Sequence, residues 1–380
     1  MSIYRTVLRL KKSGKKIMGC YPLYPPLELF HSMGFAPVVL WGFGNSLEDH
    51  DEARARLQPF TCSVAGNLVQ FLLAHGECLD GLWSSNACDT LRNLPEIIEF
   101  AFKEKNIPVP LFKSHIPAVS FEQSMKSKEY LKQTINTLID RLSRHYDVSF
   151  SGKRFVQSIE LYRAMRSLAR QLLAYVSQGK LSFREYIDII LKGNYMVVED
   201  QIDLLKRYID YLKEKKEVDF NTANRARVVL SGIQPPHPEI INAIEDSGMY
   251  VAGNDIAPLT RTLNHTPDTT SDPGEYYCDF YQNHYPCSTI LHSSGPRVAA
   301  LKRLFDESGA AGMIFIGEKF CEYEYFEIPH IRSLLDQWGI MFLDVEQSAD
   351  MKDDAGARNR IAAFGEMLLG MNANRTRARQ

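Results

Sequence analysis

From about residue 14 to 125, short apolar runs alternate with amphipathic stretches: KIMGC, LELFHSMG, APVVLWG, LVQFLLAHG and GLWSS. Short buried runs separated by helical-period segments predict βαβ units around a mainly parallel sheet. From 126 to about 226 the texture changes. YLKQTINTLIDRLSRHY, KRFVQSIELYRAMRSLARQLLAYV and QIDLLKRYIDYLKEKKEV repeat apolar residues at three- and four-residue steps, and Gly and Pro nearly vanish. That period gathers the apolar side chains on one helix face and predicts a helical insert. From 227 the alternation returns in RVVLSG, MYVAGND, RVAALKRLFDESG, GMIFIG and IMFLDVE, and RNRIAAFGEMLLGM reads as a closing helix. The expected organisation is an N-terminal α/β lobe over 1–125, a helical domain over 126–226 and a C-terminal α/β lobe over 227–380.

The two α/β regions are alike in order as well as class. KIMGCYPLYPPLELFHSMGFAPVV gives strand, Pro-rich turn, helix, Gly, strand, and RVVLSGIQPPHPEIINAIEDSGMYVA repeats it. LVQFLLAHGECLDGLWSSNAC and VAALKRLFDESGAAGMIFIGEKFC share a second order: helix, Gly, small linker, strand, short loop, Cys. The fold class is therefore α/β, with two related Rossmann-like or flavodoxin-like parallel-sheet lobes facing each other. Ligand sites in such sheets lie at the carboxyl ends of the strands.

Composition narrows the function classes. A formal net charge of −2 over 380 residues gives no global basic field for nucleic acid. The basic clusters KKSGKK (11–16) and RTRAR (375–379) read as solvated tails. No apolar run reaches the ~20 residues of a membrane span, and MSIYRTVLRLKK has neither the apolar core nor the cleavage site of a signal peptide. A cytoplasmic home is expected, where structural disulfides are rare. The seven cysteines are then thiols, ligands or packing.

Their placement distinguishes three of them. Cys88 follows GLWSS and precedes a helix, Cys321 follows GMIFIG at the matching point of the second lobe, and Cys62 in PFTCSVAGN precedes a helix too. Helix N-termini carry partial positive charge and free N–H groups, which favour a thiolate. Three such cysteines converge on one metal if the lobes face across a cleft. Their spacing matches no short motif such as C-x-x-C, so packing is the competing reading. Cys20, at the end of the first strand, reads as a half-buried thiol and Cys78 as inert. Cys278 and Cys287 fall in a Tyr- and His-rich loop, from which Cys287 is a candidate extra ligand or cover. His115, His237 and His330 read as surface or cap residues. The sequence holds no GxxxxGK[ST], and WGFGNS (41–46) has the glycines of a dinucleotide loop in the wrong context, so nucleotide energy would come from another subunit.

Six segments taken together, GCYPLYPPLELFHSMGFAPV, CSVAGN, DGLWSSNACDTLRNL, VLSGIQPPHPEIINAIEDSG, GMIFIGEKFCEYEYFEIPHI and GARNRIAAFGEML, resemble the 2-hydroxyacyl-CoA dehydratase D-component family, which includes benzoyl-CoA reductase subunits. The match runs in order over nearly the whole chain. The resemblance implies a [4Fe-4S] cluster on Cys62, Cys88 and Cys321. It also implies a homologous second subunit forming a heterodimer, and a separate ATP-dependent iron–sulfur activator that delivers one electron. The cluster of such enzymes passes that electron to an acyl-CoA thioester, and the resulting ketyl radical loses water; in benzoyl-CoA reductases the ring is reduced instead. Asp89 and Glu322, each directly after a ligand cysteine, would cap helices or hydrogen-bond near the cluster.

The chain also departs from the family pattern. Many relatives carry Arg where Gly66 stands, several carry a Cys in the turn read here as GIQPP, and AGNDIAPLTR offers no cysteine for a double cubane. A single [4Fe-4S] cluster is the expectation. The leading function is an iron–sulfur dehydratase subunit; the alternatives are a benzoyl-CoA reductase-like subunit and a non-catalytic electron relay. A pocket beside Cys88 and Cys321 is expected of an enzyme, and a sealed cleft of a relay.

Overall fold

The computed structural model describes residues 3–41, 47, 49–117, 125–215, 224–290, 294–348 and 355–377. The WGFGNS stretch beyond Trp41 and the end of the RTRAR tail lie outside them. Among the described residues, eight strands form two sheets. β1 (Lys16–Tyr21), β2 (Phe35–Val39), β3 (Gly81–Ser85) and β4 (Leu111–Ser114) pair in the order β2-β1-β3-β4. β5 (Ala226–Gly232), β6 (Met249–Ile256), β7 (Gly312–Glu318) and β8 (Met341–Gln347) pair in the order β6-β5-β7-β8. Every pairing is parallel. The two orders are the same order, so the repeat seen by eye in the sequence is a repeat of topology.

Parallel strands need crossovers, and the crossover helices cover both faces of the sheet. That is why β3 and β7 are buried at every position and read as continuous runs rather than alternations. The equivalence extends to register: Met18 of β1 pairs with Gly81, and Val228 of β5 with Gly312.

The helical stretch is built into both lobes. Leu131, Ile135, Leu138 and Leu142 of the Met125–Tyr146 helix lie on one face and enter the core of the first sheet. The long Gly152–Ser177 helix sends Phe155 and Ile159 into that same core. Further along it, Tyr162, Met165, Ala169 and Leu172 enter the core of the second, joined by the Phe183–Gly193 and Val198–Glu214 helices. Ser151 and Ser182 start two of these helices by accepting the N–H three residues on.

Two local expectations are corrected. KKSGKK is no tail: it closes the Ile3–Lys12 helix and opens β1, and Lys11 pairs with Asp80 at 3.1 Å while donating to the carbonyls of Glu77 and Leu79. The Tyr- and His-rich stretch is largely a helix, Pro273–Asn283, because Asp272 caps it and its aromatic side chains bury against the first lobe.

Candidate functional site

Cys62, Cys88 and Cys321 are each the N-cap residue of a helix: Ser63–His75, Asp89–Glu104 and the single turn Glu322–Tyr325. Cys88 and Cys321 follow the carboxyl ends of β3 and β7, equivalent points of the two sheets. Asp89 and Glu322 are therefore first helical residues rather than caps, and Asp89 pairs with Arg92 at 3.4 Å.

The expected lowering of the thiol pKa does not occur. Burial dominates, pushing Cys62 up to about 12 and raising Cys88 and Cys321 as well. Backbone N–H groups act the other way: Ala65 and Val64 on Cys62, Leu91 and Thr90 on Cys88, and Glu324 on Cys321. A helix end supplies at most about 2 kcal/mol, and removing a thiolate from water costs more than that. The sulfurs also act on one another. A charge on Cys88 raises Cys62, and charges on Cys62 and Cys88 raise Cys321. Tyr21, buried at the end of β1, has its pKa raised by burial first and then by all three thiols and Glu318. The three thiols thus stand within electrostatic reach of each other and of one phenol. Among the described residues, no three His, Cys, Asp or Glu side chains are assembled around a point that would hold a single metal ion.

Glu318 joins the lobes at this place. β7 is seven residues long and β3 five, and the last residue of the longer strand is Glu318. Its buried carboxylate accepts the Ser63 backbone N–H at 3.0 Å and the Ser63 hydroxyl at 2.5 Å. Ser63 directly follows Cys62, so a carboxylate of the second lobe fixes the helix start of the first.

Two cavities open at the carboxyl ends of the sheets, and the repeat relates them. One, of about 650 Å³, opens between the residues after β3 and β4 and the start of the Ser294–Ser308 helix; Ala87, Ile116, Ile290, Arg297 and Tyr323 line it. The other, of about 550 Å³, opens between the residues after β7 and β8 and the start of the Ser63–His75 helix; Cys62, Gly66, Lys319 and Phe320 line it. Neither Cys88 nor Cys321 lines either cavity. Both volumes fall in the range of small-molecule sites.

The model of the 2-hydroxyglutaryl-CoA dehydratase D-component family matches residues 22–368. The chain belongs to this family. It is 25% identical over 366 residues to the (R)-phenyllactyl-CoA dehydratase beta subunit of Clostridium sporogenes, covering 94% of this chain and 93% of that one. It is 25% identical to the beta subunit of (R)-2-hydroxyglutaryl-CoA dehydratase of Acidaminococcus fermentans, covering 95% and 94%. A benzoyl-CoA reductase subunit of Thauera aromatica is 21% identical, with 93% and 91% covered. No helix among the described residues is long and apolar enough to cross a membrane.

The other cysteines of the chain have different settings. Cys20 is fully buried and contacts the Met18 carbonyl at 3.5 Å. Cys78 closes a short helical turn under the Ile3–Lys12 helix, and Cys278 contacts the Lys128 carbonyl at 3.7 Å. Cys287 is buried, with its sulfur 3.4 Å from Nη1 of Arg261 and 3.2 Å from Oγ1 of Thr289. His237 caps the Pro238–Asp246 helix as expected, and His330 is exposed, as expected, at the first cavity.

Sequence reasoning missed Glu318, Tyr21 and the buried charges behind the first cavity. There Arg261 pairs with Glu324 at 2.8 Å, and Asp255 pairs with Arg297. A carboxylate ending an otherwise apolar strand, as in GMIFIGE, was the one available signal for Glu318.

Proposed function

We propose that this chain is the iron–sulfur subunit of a 2-hydroxyacyl-CoA dehydratase-like enzyme, with a [4Fe-4S] cluster held by Cys62, Cys88 and Cys321. The reading rests on three N-cap cysteines from both lobes whose charges act on one another, in a chain of the D-component family. The donor set fits the group. Thiolate sulfur suits iron–sulfur clusters, and a cluster holds its thiolates further apart than a lone ion does, in keeping with sulfurs that repel without meeting at one point. The raised thiol pKa values keep the three sulfurs protonated before loading, and loading releases those protons.

The chain's own residues then have distinct tasks. Backbone N–H groups of Val64, Ala65, Thr90, Leu91 and Glu324 stabilise charge on the sulfurs. Tyr21, packed near Trp41 with ring centroids 5.4 Å apart, excludes water from the floor of the site. Glu318 and Ser63 hold the two lobes in register across it. When bound, the cluster supplies one-electron transfer toward a thioester placed in the cavity beside Cys88. Three other molecules belong to this reading: a homologous second subunit, an ATP-dependent iron–sulfur activator, and an acyl-CoA thioester in the cytoplasm. Cys287, facing Arg261, serves as a cover of the cavity wall behind Thr289 rather than as a fourth ligand in this reading. A benzoyl-CoA reductase-like subunit is the second reading, favoured by the likeness to the Thauera chain; a non-catalytic relay subunit is the third.

Iron and sulfide content with EPR, on protein purified anaerobically, tests the reading. About four irons per chain, lost or disturbed in Cys88→Ser, is the expected result. A colourless protein that cannot be reconstituted and ignores the substitution would overturn it.

A further inference from the structure

The three N-cap cysteines head helices of unequal length. Cys62 starts 13 residues and Cys88 starts 16, whereas Cys321 starts only the 4 of Glu322–Tyr325. A single turn fixes several dihedrals for few hydrogen bonds, so it does not stand without tertiary contacts. The residue in front of it is strained as well. The Cys321 N–H bonds back to the Glu318 carbonyl at 2.9 Å, which puts Phe320 third in a tight turn. Its φ is +67°, in the left-handed region that such a turn normally gives to glycine. Among the described residues, the other non-glycines of positive φ are Tyr24, Asn106 and Asp147, none of them next to Cys62 or Cys88. A bulky residue stays in that region only where its surroundings over-determine it.

One side chain of the turn is held from outside it. Glu324 is 2% exposed, and its Oε1 accepts from Nη1 of Arg261 at 2.8 Å. Arg261 lies in the turn that follows β6 and is 1% exposed. Its own position is fixed: Nε donates to the Asp255 carbonyl at 2.5 Å, and Nη2 stands 3.8 Å from the Asp255 carboxylate. The Glu324 backbone N–H acts on the Cys321 sulfur, so anchoring this residue anchors one of the sulfur's own contacts. A buried ion pair adds little net stability, because desolvation of both charges offsets their attraction. What it adds is direction, since only one placement of the turn completes the bond. Tyr325 seats the far end of the same turn on β7, its ring 5.6 Å from that of Phe315.

We propose that Arg261 is the positioning residue of Cys321: through Glu324 it locks the single turn, and with it the strained Phe320 conformation, so that the thiol faces Cys62 and Cys88. The assignment rests on the dehydratase reading, in which the three sulfurs share one group. Cys62 and Cys88 need no such brace, because their helices are long enough to be held by their own apolar faces. Leu68 and Leu72 are buried on one, and Leu91, Leu94 and Ile98 on the other.

Thiol bridging on the full-length chain, freed of metal under anaerobic conditions, tests this without a cluster. Dibromobimane fluoresces once both of its arms are bound to sulfur, and peptide mapping identifies the bridged pair. Wild type is expected to bridge Cys321 to Cys62 or Cys88. The Arg261→Met, Glu324→Met double variant replaces the ion pair with apolar volume, an exchange that folds tolerate. It should lose Cys321 bridging by at least about tenfold, as expected of a displaced reacting atom, and keep the Cys62–Cys88 bridge. Glu324→Gln retains the oxygen that accepts from Arg261 and should keep the Cys321 bridge. Undiminished Cys321 bridging in a double variant with wild-type circular dichroism would overturn the assignment and leave Tyr325 as the anchor. An equal loss of every bridge would overturn it too, since it marks a general support of the fold, as would a wild type whose Cys321 forms no bridge. Iron and sulfide on parallel preparations keep the two claims apart. A wild type that loads iron, beside a double variant that bridges normally, removes only the role of Arg261. A wild type with neither iron nor a bridge among the three thiols removes the dehydratase reading itself.

Discussion

Glu318 and Ser63 meet across the two lobes through a single carboxylate oxygen, which accepts the Ser63 N–H at 3.0 Å and its hydroxyl at 2.5 Å. The donors sit at a helix start, where N–H groups lack intrahelical partners and a negative charge is favourable. The acceptor sits on the strand that leads to Cys321. One contact therefore ties the helix start beside Cys62 to the strand that leads to Cys321.

Removing that acceptor takes away the carboxylate that two Ser63 donors share in a half-buried place. Glu318→Ala is expected to lower stability by about 1–3 kcal/mol, measured by urea unfolding. Glu318→Gln keeps a carbonyl oxygen in the same position and should lose less. Equal losses in both variants would mean that the contact contributes little.

A second buried contact couples the two cores. Arg166 on the Gly152–Ser177 helix pairs with Glu28 at 2.6 Å, and both are almost completely buried. The hydroxyls of Tyr276 and Tyr277 donate to the other lone pairs of Glu28 at 3.0 and 3.1 Å. Breaking a satisfied buried pair strands a charge, so Glu28→Gln should cost about 3–5 kcal/mol. The Glu28→Gln, Arg166→Met double variant should recover part of that loss. A double variant as unstable as the sum of the single ones would contradict the coupling.

His284 predicts an acid limb in the stability profile. Its Nδ1–H donates to the Tyr281 carbonyl at 2.7 Å, while Nε2 is buried without a partner. Burial holds its pKa down at about 4, against about 6.5 in the unfolded chain. Between those values the unfolded chain takes up a proton that the native ring refuses. Stability from this group is complete above about pH 6.5 and is lost as the pH falls toward 4, by up to about 3 kcal/mol. His284→Gln should flatten that part of the curve in denaturant titrations run across the window. An unaltered limb would assign it to other groups.

Gly66 sits in the first turn of the Ser63–His75 helix, and a Cβ built there meets nothing within 4 Å. Gly is less favourable than Ala in a helix by about 0.8–1 kcal/mol. Gly66→Ala should therefore stabilise the chain by roughly that amount in chemical denaturation. A loss of stability would show that the open space beside Cys62 is needed by the fold.

The sequence by itself determined the two parallel-sheet lobes, the long helices between them and the helix-start position of three cysteines. It did so because hydrophobic period and Gly/Pro punctuation are local properties of the chain, written within ten or twenty residues. Even the repeat was legible, as KIMGC against RVVLSG and GLWSS against GMIFIG, because each copy carries its own strand, turn and helix signals. Only the tertiary structure decided that Glu318 reaches Ser63, and that Tyr21 lies among three thiols. It also decided that Arg297 meets Asp255 and Glu327 at a cavity wall. These pairs join residues far apart in the chain, and nothing local in either partner encodes the other. The thiol pKa values belong to the same class. A helix start is visible in sequence, but the desolvation that overrides it depends on how two lobes close over the site.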